Sequence, residues 1–178
     1  MTQTPTICRV FPNYSEKKTI TATKTKTLKA TGDVQVIAQT GSHVEAQDGC
    51  EVLAYQGSSV IAFKGSKVLA YEGAQVVAMS KSNVIAHDGA RVVAFDAARV
   101  LAVRGSQVYA NAGARVIAAT GAKVTAHQES NVHCYAGVDL IVLPGAKITM
   151  SERNDISDLN ICVTSLCECN TCANEPKD

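Results

Sequence analysis

Residues 41–80 read GSHVEAQD GCEVLAYQ GSSVIAFK GSKVLAYE GAQVVAMS, five octads in succession without a gap. A fixed period is the signature of a repeat architecture and is read before any single element. Extending the frame outward from Gly41 and Ser80, position 4 of the octad stays aliphatic through seventeen copies, from Ile20 and Leu28 to Leu140 and Ile148. Thirteen of these are Val. Position 6 is Ala from Ala22 to Ala126 and then becomes Cys134, Val142 and Met150. Eleven of the twelve glycines stand at position 1, where the exceptions are Lys17, Thr25, Asp33, Lys81, Ala97 and Glu129; Gly32 alone is out of phase.

An eight-residue period matches no helical repeat, and a Gly in every octad would cost a helix about 1 kcal/mol each time. Strand chemistry fits. Positions 2, 4 and 6 carry Ser or Ala, Val, and Ala, so a period of two puts small and β-branched side chains on one face between glycine turns. That face is expected to be the interior, because its sizes are uniform and a packed position is constrained by the copies above and below. Position 3 varies freely through His43, Glu51, Ser59, Lys67, Gln75, Asn83 and Arg91.

One octad cannot fold alone. Ordering eight residues costs at least roughly 8 kcal/mol, and burying one Val and one Ala returns only a few. The octads must stack, each strand taking its hydrogen bonds from the coils above and below. The expected fold is all-β, a parallel β-solenoid over residues 17–152, flanked by an N-terminal leader or cap, 1–16, and a Cys-rich C-terminal cap or tail, 153–178. Two octads per coil, sixteen residues, suit an interior lined by Ser, Val and Ala; a three-sided coil would demand Leu, Ile or Phe inside. Seventeen octads then make about eight and a half coils and a stack about 40 Å long.

The GSxVxAYx run at 57–76 resembles octapeptide arrays of bacterial and phage-associated proteins, and the expected sixteen-residue coil is similar to that of ice-nucleation solenoids. The resemblance implies the architecture of 17–152. It does not carry ice binding, which needs outward Thr-x-Thr rows, whereas positions 5 and 7 here are aliphatic and aromatic.

Those outward positions are the candidate interaction face. At two octads per coil, Leu53, Leu69, Ile85 and Leu101 beside Tyr55 and Tyr71 share one sheet. Ile61, Val77 and Val93 beside Phe63, Met79 and Phe95 share the other. A continuous apolar ladder exceeds the few hundred Å² that soluble monomers expose, so a second copy, a protein partner or a membrane surface is expected to cover it. The alternative is a thicker core reached through kinked strands. The ladder fades at Glu45 and Gln47 and again at Thr125, His127 and His133, and the Thr- and Lys-rich first octads are suited to capping an open strand edge.

With 17 basic and 16 acidic residues the chain lacks the clustered positive charge that nucleic-acid binding needs. No apolar run approaches the ~18 residues of a membrane span, and no secretory signal opens the chain, so a cytoplasmic site is expected, with non-classical secretion as the alternative. Catalytic residues are not expected. The four histidines fall on different coils, the acidic residues at position 8 are mixed with Lys64 and Arg104, and no nucleotide-binding or nucleophile motif appears. Outside the repeat, Cys162, Cys167, Cys169 and Cys172 could supply four thiolates to zinc, the one cofactor the sequence suggests, or be inert, disulfide-forming or lipidated thiols. The function this reading favours is a non-enzymatic scaffold that self-associates or binds a protein partner. The alternative is a bacterial effector or surface-acting protein exported without a classical signal.

Overall fold

A computed structural model of the chain describes residues 17–24 and 26–151. Every octad contributes one strand. They run from β1 (Lys18–Ala22) and β2 (Leu28–Ala30) through one short strand per repeat to β16 (Asp139–Val142) and β17 (Lys147–Ser151). Odd-numbered strands stack into a nine-stranded parallel sheet, here sheet A, and even-numbered strands into an eight-stranded parallel sheet, sheet B. The register is a shift of sixteen residues throughout: Leu53 lies against Leu69 and Leu69 against Ile85 in sheet A, and Ile61 against Val77 in sheet B. The protein is therefore a parallel β-solenoid with two octads per coil, as its period implies.

Positions 2, 4 and 6 point inward. Val36, Val52, Ala54, Ala86, Val92 and Ala102 are buried, and the interior forms one cluster from Ala22 to Cys134. Large side chains are unnecessary because the opposed faces are close; Val at position 4 and Ala at position 6 fill the gap at close-packed density. Packing thins at the C-terminal coils, where Val142 is exposed and Met150 is 75% exposed although both occupy position 6.

The corner of each coil is a two-residue turn at positions 8 and 1, closed by the position 2 amide donating to the position 7 carbonyl, as from Ser42 to Gln39 at 2.9 Å. Such a turn needs a positive φ at its second central residue, which is why position 1 is Gly. At position 2 the Ser hydroxyl reinforces the turn: Ser58, Ser66, Ser106 and Ser130 each donate to the same position 7 carbonyl, at 2.5–2.6 Å. Between coils the backbone ladder continues through the corners, so the turns are bonded into the stack as well as the strands.

The two edges of the solenoid differ. Along the edge entering sheet B, Gly41, Gly57, Gly73, Gly89, Gly105, Gly121 and Gly137 form an unbroken ladder, each amide donating to the next carbonyl at 2.9–3.2 Å. Along the edge entering sheet A, Lys81, Ala97 and Glu129 take the glycine's place at φ 62°. Space explains the difference. On the all-glycine edge a Cβ would collide with the position 8 side chain of the coil below, Gln56 Cγ at 2.9 Å from Gly73 and Glu72 Cγ at 2.8 Å from Gly89, and would overlap the Asp88 carboxylate at Gly105. On the other edge a Cβ at Gly145, in the last coil, would also press on Gln128 Cγ at 2.9 Å, but at Gly49, Gly65 and Gly113 it meets only backbone atoms, at 3.8, 3.4 and 3.2 Å. There a side chain bears the backbone strain alone.

Candidate interaction face

Positions 3, 5 and 7 line the outside of each sheet, and sheet A has the longer apolar surface. Its position 5 row runs Ile37, Leu53, Leu69, Ile85, Leu101, Ile117 over six consecutive strands, before His133. Beside it, Tyr55 and Tyr71 stack with ring centroids 5.1 Å apart and 12° between planes, and His87 continues the stack at 5.1 Å and 8°. Sheet B presents Ile61, Val77 and Val93 between Glu45 and Tyr109, with Phe63, Met79 and Phe95 half-buried beside them. The structure thus divides the twelve sequence-selected residues between two opposite faces.

The sheet A face is flush, not protruding. Leu69 is only 7% exposed and Leu101 8%, because each is covered by the like side chain one strand above and below; Tyr55 at 42% stands out further. Strands spaced about 4.8 Å apart leave less room than a Leu side chain is wide, so a row of leucines shields itself. The ladder expected from the sequence exists, but as a low-relief surface that belongs both to the core and to the outer face.

Position 3 edges this surface with charge. Glu51, only 12% exposed at its side chain, accepts Lys17 Nζ at 2.9 Å and Lys67 Nζ at 3.5 Å, and Lys17 also reaches Asp33 at 2.8 Å. Burial alone would lower the Lys17 pKa, but hydrogen bonds to Asp33 and Glu51 outweigh it and raise the ammonium above its ordinary value. This strap ties the first coils together. Arg99 and Arg115 continue the row, exposed and outside any ion pair among the described residues.

His87 is the titratable group within the apolar stack. Desolvation under Tyr71 lowers its pKa, and desolvation followed by the neighbouring Tyr55 raises that of the Tyr71 phenol. A histidine held neutral by folding supports stability above its unfolded pKa, and that support is lost as pH falls below about 6.5 and through the lower folded pKa. Denaturant midpoints measured from pH 7.5 downward, at least ~2 units, are expected to fall more steeply in the wild type than in His87→Gln. Parallel curves would show that the ring titrates as it does in the unfolded chain.

Among the described residues the histidines do not converge on a common space. His43 and His127 lie on the sheet B side and His87 and His133 on the sheet A side, on four different coils. Among the described residues no three His, Cys, Asp or Glu side chains gather closely enough to hold a metal ion. A groove past Phe95, Asn111, His127 and Leu143 on the flank of sheet B is open to solvent and built from two adjacent residues of each coil. Cys50 and Cys134 are buried in the interior, where desolvation raises both thiols and makes them poor nucleophiles. Cys162, Cys167, Cys169 and Cys172 lie outside the described residues. Among the described residues no helix is long and apolar enough to cross a membrane.

No protein-family model and no curated protein sequence matches the chain. Among solved structures, the crystal structure of a TibC-catalysed hyper-glycosylated TibA55-350 fragment is similar over 79% of this chain and 94% of that one, at 9% identity and a TM-score of 0.27.

Proposed function

We propose that the solenoid is a non-enzymatic scaffold whose outer sheet A surface is its protein-contacting face. The observation that carries this reading is the unbroken six-strand aliphatic row from Ile37 to Ile117 with the Tyr55–Tyr71–His87 stack alongside it. A rod that needed only to remain soluble would carry polar residues at these places, as position 3 does. Aromatic and aliphatic side chains fixed on a rigid backbone lose little entropy on binding, which suits them as anchors. The reading of a scaffold without chemistry is supported by the scatter of the histidines over separate coils and by acid–base contacts that are ion pairs on the outer face, such as Lys17 and Lys67 on Glu51, among the described residues.

The test is a paired substitution of the two tyrosines, Tyr55→Lys with Tyr71→Lys. Both side chains reach solvent, so the solenoid is expected to keep its β circular dichroism while its assembly with itself or a partner is lost. A variant that assembles as the wild type does would overturn the assignment of this face.

A further inference from the structure

Resting on the reading of sheet A as the contact face, we infer that its partner is a second copy of the chain, packed face to face and antiparallel about a two-fold axis that crosses the row between Leu69 and Ile85. Two copies can meet on one face through a two-fold axis that runs either along the solenoid or along the strands. The first sets position 7 of one copy over position 3 of the other, which covers Arg99 and Arg115 with Val103 and Ala119. Guanidinium groups desolvated against aliphatic side chains, with no acceptor opposite, make that arrangement unfavourable.

The second axis sets each row on itself, running in reverse. With its centre at the midpoint of the aliphatic row, Leu69 meets Ile85 of the second copy, Leu53 meets Leu101 and Ile37 meets Ile117. In the position 7 row Tyr71 falls opposite His87, so the two ring stacks cap each other. In the position 3 row Glu51 falls opposite Arg99, Lys67 opposite Asn83 and Gln35 opposite Arg115. No like charges meet, and the opposite-charge pair occurs twice by symmetry. Glu51 already shares its carboxylate with Lys17 and Lys67, so Arg99 of the second copy adds a further donor to a site that holds an anion in place.

The size also fits. The eight strands that this register pairs, about 4.8 Å apart and about five residues wide, give a face of about 630 Å² per copy, at the lower end of the ~600–1,000 Å² per side of a standard stable interface. The three-strand apolar run of sheet B is half as long as the six-strand run of sheet A. A two-fold pair is closed, so the same face is not left free to grow a fibre.

The experiment places a photo-cross-linker on the full chain as Tyr71→p-benzoyl-phenylalanine, with light scattering to give the mass. The expected result is a two-chain mass and, after irradiation of a mixture of 15N-labelled and unlabelled chains and trypsin digestion, a mixed-label link between copies to residues 82–91, which contain His87; the label separates it from a link within one chain, where Tyr71 also stacks on His87. The same group placed at Tyr55 is expected to link to residues 100–104, around Val103, and keeps the test alive if the first variant folds poorly. Arg99→Glu, an exposed change, is expected to weaken the dimer at least about tenfold, roughly 1.4 kcal/mol. A dimer linked to other sheet A residues would overturn the antiparallel register while leaving sheet A as the contact face. Links to sheet B would overturn both. A single-chain mass at every concentration would overturn the second copy as partner, and the tyrosine-to-lysine pair would then decide whether another protein uses the face.

Discussion

Ala86→Leu is expected to destabilise the solenoid by about 3 kcal/mol or more, the upper end for an overpacked core. Ala86 is fully buried and lies in register between Ala70 and Ala102, themselves fully buried. The additional carbons of leucine have nowhere to go. Along the stack the coil spacing is set by backbone hydrogen bonds at about 4.8 Å, and across it the small residues of the other sheet fill the space. Relaxation would have to pull neighbouring strands apart or tilt a coil, and either movement breaks ladder bonds on both sides. Leu101, one residue before an inward Ala but on the outer row, is the built-in control: Leu101→Ala leaves a gap that solvent can fill from one side and is expected to cost less, about 2 kcal/mol, the lower end for a buried Leu→Ala change. Denaturant unfolding followed by circular dichroism measures both. A cost below about 1 kcal/mol for Ala86→Leu would mean that the interior has room, and the close-packed two-sheet coil would be wrong.

The second large effect separates backbone strain from crowding. Gly65 and Gly89 sit at the same octad position with φ of 78° and 72°, on opposite edges of the solenoid. Alanine at Gly65 is expected to cost about 1 kcal/mol, the strain of a left-handed residue with a Cβ. Alanine at Gly89 carries the same strain and also presses on Glu72 Cγ at 2.8 Å and Glu72 Cα at 3.4 Å. About 2 kcal/mol is expected there, with the excess relieved by Glu72→Ala, since the contact is chiefly with that side chain. Equal costs at the two sites would remove crowding as the reason that one edge keeps glycine without a break from Gly41 to Gly137.

The fold was legible because a tandem repeat states each environment many times over. Val at position 4 and Ala at position 6 recur unchanged since each is packed against copies of itself, and the narrowness of that pair implies sixteen residues per coil. The division of Leu53, Tyr55, Leu69 and Tyr71 from Ile61, Phe63, Val77 and Met79 followed from the parity of the octads alone. What escaped the sequence reading depends on distances between coils. A period says that Leu69 points outward, but not that its neighbours sit close enough to leave it 7% exposed. The asymmetry of the edges was also present in the letters, since Asp33, Lys81, Ala97 and Glu129 all open odd octads; its cause, the position 8 side chain leaning over the glycine of the next coil, is visible only in three dimensions. The same holds for the hydroxyls of Ser58, Ser66, Ser106 and Ser130 at position 2, which read as small core residues and turn out to brace the corners.

The outer surface carries the functional weight of this account, and the two sheets provide each other's control. The decisive measurement is the light-scattering mass of three full-length proteins over a common concentration series. These are the wild type, the sheet A pair Tyr55→Lys with Tyr71→Lys, and the sheet B pair Phe63→Lys with Phe95→Lys. A two-chain mass is expected for the wild type and the sheet B pair and a single-chain mass for the sheet A pair, with β circular dichroism preserved in all three. Equal masses for the two lysine pairs, or loss of assembly in the sheet B pair alone, would contradict sheet A as the contact face.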